Sequence, residues 1–125
     1  MASGGNAGTL RVQRQAGVAL VRLFGEHDMA TVGHLREALD EQVAMGDGVV
    51  VSLADVEFID SSVVRVLYRG DHALREQGRR LVLHVATPSI VKRLLELSGL
   101  SARLPCTNSL DAAVRLASGA GEDAS

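Results

Sequence analysis

Gly48-Val49-Val50-Val51-Ser52-Leu53, continued by Ala54-Asp55-Val56-Glu57-Phe58-Ile59-Asp60-Ser61-Ser62, is the stretch whose reading decides the fold. Its first six residues are a short, β-branched, apolar run bounded by Gly and Asp, the pattern of a strand buried on both faces. Such a strand requires helices on both sides of its sheet. Downstream, apolar residues recur at Val63, Val66, Leu67 and Leu74, with arginines between them, until Gly78 offers a left-handed stop; the spacing predicts a helix. Upstream, Val32, Leu35, Leu39 and Val43 fall at steps of three and four, with Thr31 placed to cap and Gly46 to terminate, which predicts another.

The pattern continues outward from this centre. Leu10 and Val12 alternate with Arg11 and Gln13, Gly17 punctuates, and Val18 to Phe24 alternates more weakly, as in a β-hairpin. Arg80 to Ala86 reads as a strand with Leu81, Leu83 and Val85 on one face. Thr87-Pro88 is expected to open a third helix, with Val91, Leu94 and Leu95 inside and Gly99 as its stop. A short strand from Ala102 to Cys106 and a last helix from Ser109 to Ala117, capped by Asn108 or Ser109, complete the order β-β-α-β-α-β-α-β-α. That order predicts a single α/β domain: a mixed, mostly parallel β-sheet opened by an N-terminal β-hairpin, with about four helices. Residues 1–8 and 118–125 are small and polar and are expected to be disordered tails around a domain at 9–117.

A chain of 125 residues and 13.2 kDa supports one core without a disulfide or metal, and its single cysteine, Cys106, fits a reducing compartment. Residues 1–8 have neither a basic flank nor an apolar centre, so neither a signal peptide nor an anchor is expected. The expectation is a cytoplasmic protein without direct membrane insertion. The formal charge is −2 and the aromatic set is Phe24, Phe58 and Tyr68, which argues against nucleic acid as a partner.

Ligands of mostly parallel sheets gather at the carboxyl ends of the strands, here Phe24 to Asp28, Leu53 to Ser62 and Ala86 to Ser89. The middle segment is chemically the richest. Asp60, Ser61 and Ser62 are all good helix caps, so the plain reading is a capping turn. A second reading starts from a serine hydroxyl at a helix N-terminus, accessible to another protein. A phosphoryl group there would meet the positive end of the helix dipole and backbone N–H donors, while a partner docked on the turn would have to desolvate nearly two negative charges. Such a serine could switch a partner off.

Other chemistry lacks its pattern. Glu26, His27 and Asp28 have no second His or Cys at ligand spacing, so no metal or cofactor is expected. No Gly-x-Gly-x-x-Gly follows a strand, and nucleotide binding has no support. His34, His72 and His84 fall singly and read as structural, and Cys106 as a packed residue. A hydrolase using Ser61 with His27 or His84 and Asp60 would need glycines flanking the serine, which Asp60-Ser61-Ser62-Val63 lacks. The chain is therefore not expected to be an enzyme.

Phe58-Ile59-Asp60-Ser61-Ser62, Gly25-Glu26-His27-Asp28 and the run from Val91 to Leu100 together resemble the STAS domain family, in particular its stand-alone anti-sigma factor antagonists, over about residues 9 to 117. The first segment is similar to that family's phosphorylation turn and the second to its Gly-Glu-Leu-Asp turn. The resemblance implies a protein that binds an anti-sigma factor, itself a serine kinase, and so frees a sigma factor for transcription. It implies phosphorylation at Ser61, less so at Ser62, with a serine phosphatase restoring binding, and partner contact through Asp28, Asp60, Ser61, Ser62, Val63 and Arg65. Family members place glycine directly after the serine pair and again two residues later, where this chain has Val63 and Arg65; both are expected to reshape the docking surface. Arg65, four residues after Ser61, is placed to contact a phosphoryl group there. Alternatives with the same fold are a phosphorylation-independent scaffold, a redox-sensitive antagonist using Cys106, and a peripheral subunit of a membrane transport or lipid-trafficking complex.

Overall fold

The computed structural model describes residues 8–119, and most of both expected tails lies outside these. The elements are β1 (Thr9–Gln15), β2 (Val18–His27), α1 (Val32–Met45), β3 (Gly48–Ile59), α2 (Ser61–Arg75), β4 (Leu81–His84), α3 (Ile90–Leu97), a 3-10 turn (Leu100–Ala102), β5 (Cys106–Thr107) and α4 (Leu110–Ser118). The predicted order of strands and helices is the observed one. Ala16 and Gly17 both take positive φ, 54° and 77°, in the two-residue turn between β1 and β2, the geometry that matches the twist of a tight hairpin.

The five strands lie side by side in the order β1-β2-β3-β4-β5, with β1 antiparallel to β2 and the remaining pairs parallel. Parallel crossovers are right-handed, so successive steps in one direction place every connecting helix on the same face. The buried residues show this. Leu35 and Leu39 of α1, Leu67 and Leu74 of α2, and Val91 and Leu95 of α3 share one cluster with Val49, Val51 and Leu53 of β3. Helix α4, which follows the last strand, covers the other face, where Ala113, Val114 and Ala117 pack on Val18, Leu20, Val50 and Val82. The strand order never reverses, so the sheet has no topological switch point at which a ligand crevice would open.

Three boundaries differ from expectation. β3 runs on through residues that read as a connecting turn, because the β2–β3 register slips between Arg22 and Phe24 and again between Gly25 and Glu26. Each slip inserts a residue into β3, so its buried side chains after Leu53 are Val56 and Ile59, three apart, and the two-residue period that marks a strand is lost. Thr87-Pro88 does not open α3: the bond is cis, and the cap is Ser89, whose hydroxyl accepts from the Lys92 amide at 3.0 Å. The strand expected from Ala102 is displaced to Cys106, because Leu100 to Ala102 continue past Gly99 as a 3-10 turn that buries Leu100. The glycine stops hold: Gly78 has φ 73°, and the Arg79 amide beyond it reaches back to the Leu74 carbonyl at 2.8 Å.

Among the described residues no helix is long and apolar enough to cross a membrane. Gly48 begins β3 where the end of α4 crosses it, and a Cβ there would collide with the Ala117 carbonyl. Gly48→Ala is expected to cost about 1–3 kcal/mol, the usual penalty of overpacking. Urea denaturation should show a lower midpoint with an unchanged m-value.

Candidate functional site

The site is built at the junction of β3 and α2. Asp60 is extended, φ −113° and ψ −176°, and is the residue that caps α2. Its Oδ1 accepts from the Ser62 amide at 2.9 Å, from the Val63 amide at 3.4 Å and from the Ser62 hydroxyl. The Met29 amide, in the loop after β2, adds a small favourable contribution to the field at this carboxylate. Burial by itself would raise its pKa, but the hydroxyl and the three amides outweigh that and hold it below the usual carboxylate range. One carboxylate thus ties the end of β3 to the first turn of α2.

This arrangement separates the two serines, which the sequence leaves open as caps. Ser62 is half-buried and its hydroxyl is spent on Asp60. Ser61, the first residue of the helix, is exposed, and its hydroxyl has no hydrogen-bond partner among the described residues. The expectation of free backbone donors for an added phosphoryl group needs correcting, since Asp60 already occupies the Ser62 and Val63 amides. Arg65 is exposed on the same helix, one turn on from Ser61.

Val63 also corrects an expectation. Its side chain is 0% exposed and packs in the larger core cluster, so it anchors α2 to the sheet and presents nothing to a partner. Asp28 is exposed, and its Oδ1 accepts from the Ala30 amide at 2.9 Å while its carbonyl accepts from Thr31 and Val32, so it shapes the entrance to α1. The helix is not capped by the Thr31 side chain as expected; that hydroxyl meets the Asp28 amide and the His27 ring, each at 3.1 Å.

His27, His84 and Cys106 are engaged elsewhere. His27 is 1% exposed: Nε2 lies 3.1 Å from the carbonyls of Thr9 and Phe24, to which Nε2–H donates, and Nδ1 faces Thr31. The ring is a structural tie and has no nitrogen to offer a metal. His84 Nδ1 faces Ser52 Oγ at 2.8 Å, and burial lowers the His84 pKa, so this pair is engaged within the sheet. Burial raises the Cys106 thiol pKa, which disfavours the reactive thiolate.

Sequence reasoning missed an apolar cleft beside Ser61. It has a volume of about 400 Å³, and Phe58, Val64, Leu94 and Leu97 line it next to Asp60 and Ser61. Phe58 is 42% exposed and Leu97 71%. The signal lay in α3, which carries two apolar stripes: Val91 and Leu95 are buried, while Ile90, Leu94 and Leu97, at i, i+4 and i+7, form a second in which Ile90 and Leu97 are exposed and Leu94 is half-buried against the core.

Comparisons with known proteins agree with this geometry. Residues 9–113 match the STAS domain profile. The chain is similar to an anti-sigma F factor antagonist of Paenibacillus polymyxa, 31% identical over 98 residues, which cover 77% of this chain and 83% of that one. It is similar in structure to an anti-sigma factor antagonist from Mycobacterium paratuberculosis, with a TM-score of 0.80 and 29% identity over 89% of this chain and 94% of the other. The phosphorylated form of the Bacillus cell fate determinant SpoIIAA shares the fold, with a TM-score of 0.66 and 21% identity over 86% of this chain and 99% of that one.

The lowered pKa of Asp60 carries a pH dependence of defined sign. The stability it contributes is full above the unfolded aspartate pKa of about 3.9 and is lost as the pH falls through the lower folded value. Asp60→Asn, which still caps, should lose the ionised increment at pH 7, flatten the acid-side dependence and converge with the wild type near pH 2, whereas Asp60→Ala, which loses the cap as well, should cost about 1 kcal/mol or more at pH 7. Urea titrations of the three proteins between pH 2 and 7 check this.

Proposed function

Because the chain belongs to the STAS domain family, we propose that it is an anti-sigma factor antagonist: it docks on an anti-sigma factor through the turn at Ser61 and so releases a sigma factor for transcription in the cytoplasm. The observation that carries this reading is the division of labour at the turn. Asp60 secures the helix and Ser62 secures Asp60, which leaves Ser61 as the exposed, uncommitted hydroxyl at the rim of an apolar cleft. A cleft of this kind suits an apolar side chain of the partner, with the polar turn at its edge.

The switch is the phosphorylation of Ser61 by the anti-sigma factor acting as a serine kinase. The γ-phosphoryl group of ATP passes to Ser61 Oγ, ADP leaves and the hydroxyl proton is taken up by a base; a phosphatase reverses the step by hydrolysis. The new group places nearly two negative charges beside the Asp60 carboxylate, whose cap has already used the nearest amides. The cost of desolvating that charge falls on the docked state, because in the free chain water and Arg65 can meet it. Arg65 is the counter-charge of the modified form, one turn away on the exposed face.

Incubation with an anti-sigma kinase of the same genome and ATP, followed by mass mapping, tests the switch. One phosphoryl group is expected on Ser61 in the wild type and in Ser62→Ala, and none in Ser61→Ala. Ser61→Asp should bind the anti-sigma factor at least tenfold more weakly than Ser61→Ala, a difference of about 1.4 kcal/mol. Equal affinities, or modification confined to Ser62, would overturn the proposal. For Arg65 the readout is Arg65→Gly, which should change the lifetime of the modified form.

A further inference from the structure

The outward face of α2 carries charge that the Ser61 switch alone does not explain. Between Ser61 and Arg75 the exposed positions of this helix are Ser61, Arg65, Tyr68, Arg69, His72 and Arg75. Steps of three and four put them on one side of the helix, and none is a carboxylate. Asp71, the acid within α2, turns inward and is 2% exposed. At the C-terminal end acids lie close to the basic side chains, with Arg75 Nε 3.8 Å from Asp71 and His72 Nε2 3.3 Å from Glu76. Arg36 and Asp40 of α1, across the groove from Arg69, oppose each other in sign.

What remains unbalanced is Arg65 and Arg69, which form no ion pair among the described residues. Between them lies Tyr68, 40% exposed, with the Arg103 guanidinium carbon 4.8 Å from its ring centroid. On a chain whose formal charge is −2, this concentration of cations runs against the average. It also continues from Ser61, and therefore from the edge of the apolar cleft.

Building on the docking role proposed for Ser61, we infer that the α2 face recognises an acidic surface on the protein partner, with Arg65 and Arg69 pairing to its carboxylates and Tyr68, backed by Arg103, packing between them. Two unpaired arginines on a helix about 22 Å long are few for tracking a nucleic-acid backbone. Contiguous with an apolar cleft, they match the charged rim around the apolar centre of a protein interface. The same charges explain how modification of Ser61 would act at a distance. A phosphoryl group one turn from Arg65 draws that guanidinium toward itself and sets negative charge against the acidic surface, so the switch works by changing the sign of the field as well as by blocking the turn.

The test has two arms. In the first, stopped-flow association with an anti-sigma factor that binds the wild type is measured at low and high salt for wild type, Arg65→Gln/Arg69→Gln and Arg65→Glu/Arg69→Glu, with circular dichroism as the check on folding. Electrostatic steering predicts at least a tenfold fall in association rate for the charge reversal, an intermediate value for the glutamine pair, and a salt dependence strong in the wild type and flattened in the variants. Equal rates and equal salt slopes would overturn the inference and leave the docking role standing. In the second arm, amide chemical shifts are followed as a hexaglutamate peptide is added, which tests the surface even where no anti-sigma factor binds and the docking role itself fails. Shifts centred on residues 65–72 and lost in the charge-reversed protein are expected. Shifts elsewhere, no shifts, or equal binding of an oligouridylate would overturn it.

Discussion

The Asp60 carboxylate is the contact on which the functional end of the molecule depends. It stands where β3 ends and α2 begins, and it gathers the Ser62 amide and hydroxyl and the Val63 amide. The amides at a helix start lack intrahelical acceptors, so the cap removes a penalty that would otherwise fray the first turn. It also separates the adjacent serines: because Ser62 completes the cap, Ser61 is left exposed with no hydrogen-bond partner for its hydroxyl among the described residues.

The sheet topology sets where the candidate surfaces of this protein lie. Strands added in one direction put α1, α2 and α3 on a single face and leave α4 to cover the other. Without a reversal of strand order no crevice opens at a topological switch point, and what the carboxyl ends offer are turns, helix starts and the cleft between α2 and α3. Ser61, the apolar cleft between α2 and α3, and the cationic face of α2 lie together there as adjoining parts of one surface. Val63 and Val91 hold the two helices to the same core, which fixes the spacing of the cleft walls.

Much of the fold was legible because its signals are local. The steps of three and four in α1 and α2 and the left-handed glycines at 46, 78 and 99 need no knowledge of distant residues. The second half of β3 was not legible, because two register slips against β2 change its inward period from two residues to three. The start of α3 was misread for a different reason: Pro88 suits a first helical position, but Ser89 supplies a hydroxyl cap one residue later. The site was partly legible. Ser61 and Asp60 could be picked out as a polar helix start, but Val63 was placed on the surface when its side chain belongs to the core.

By itself the sequence determined the order of elements, the single domain core and the identity of the polar turn, since hydrophobic period and capping chemistry are properties of neighbouring residues. Only the tertiary structure decided which serine is free, and that Leu94 and Leu97 meet Phe58 across a cleft. Those outcomes depend on hydrogen bonds and packing between segments far apart in the chain, whose geometry is set by strand register and helix placement and leaves no trace in local spacing.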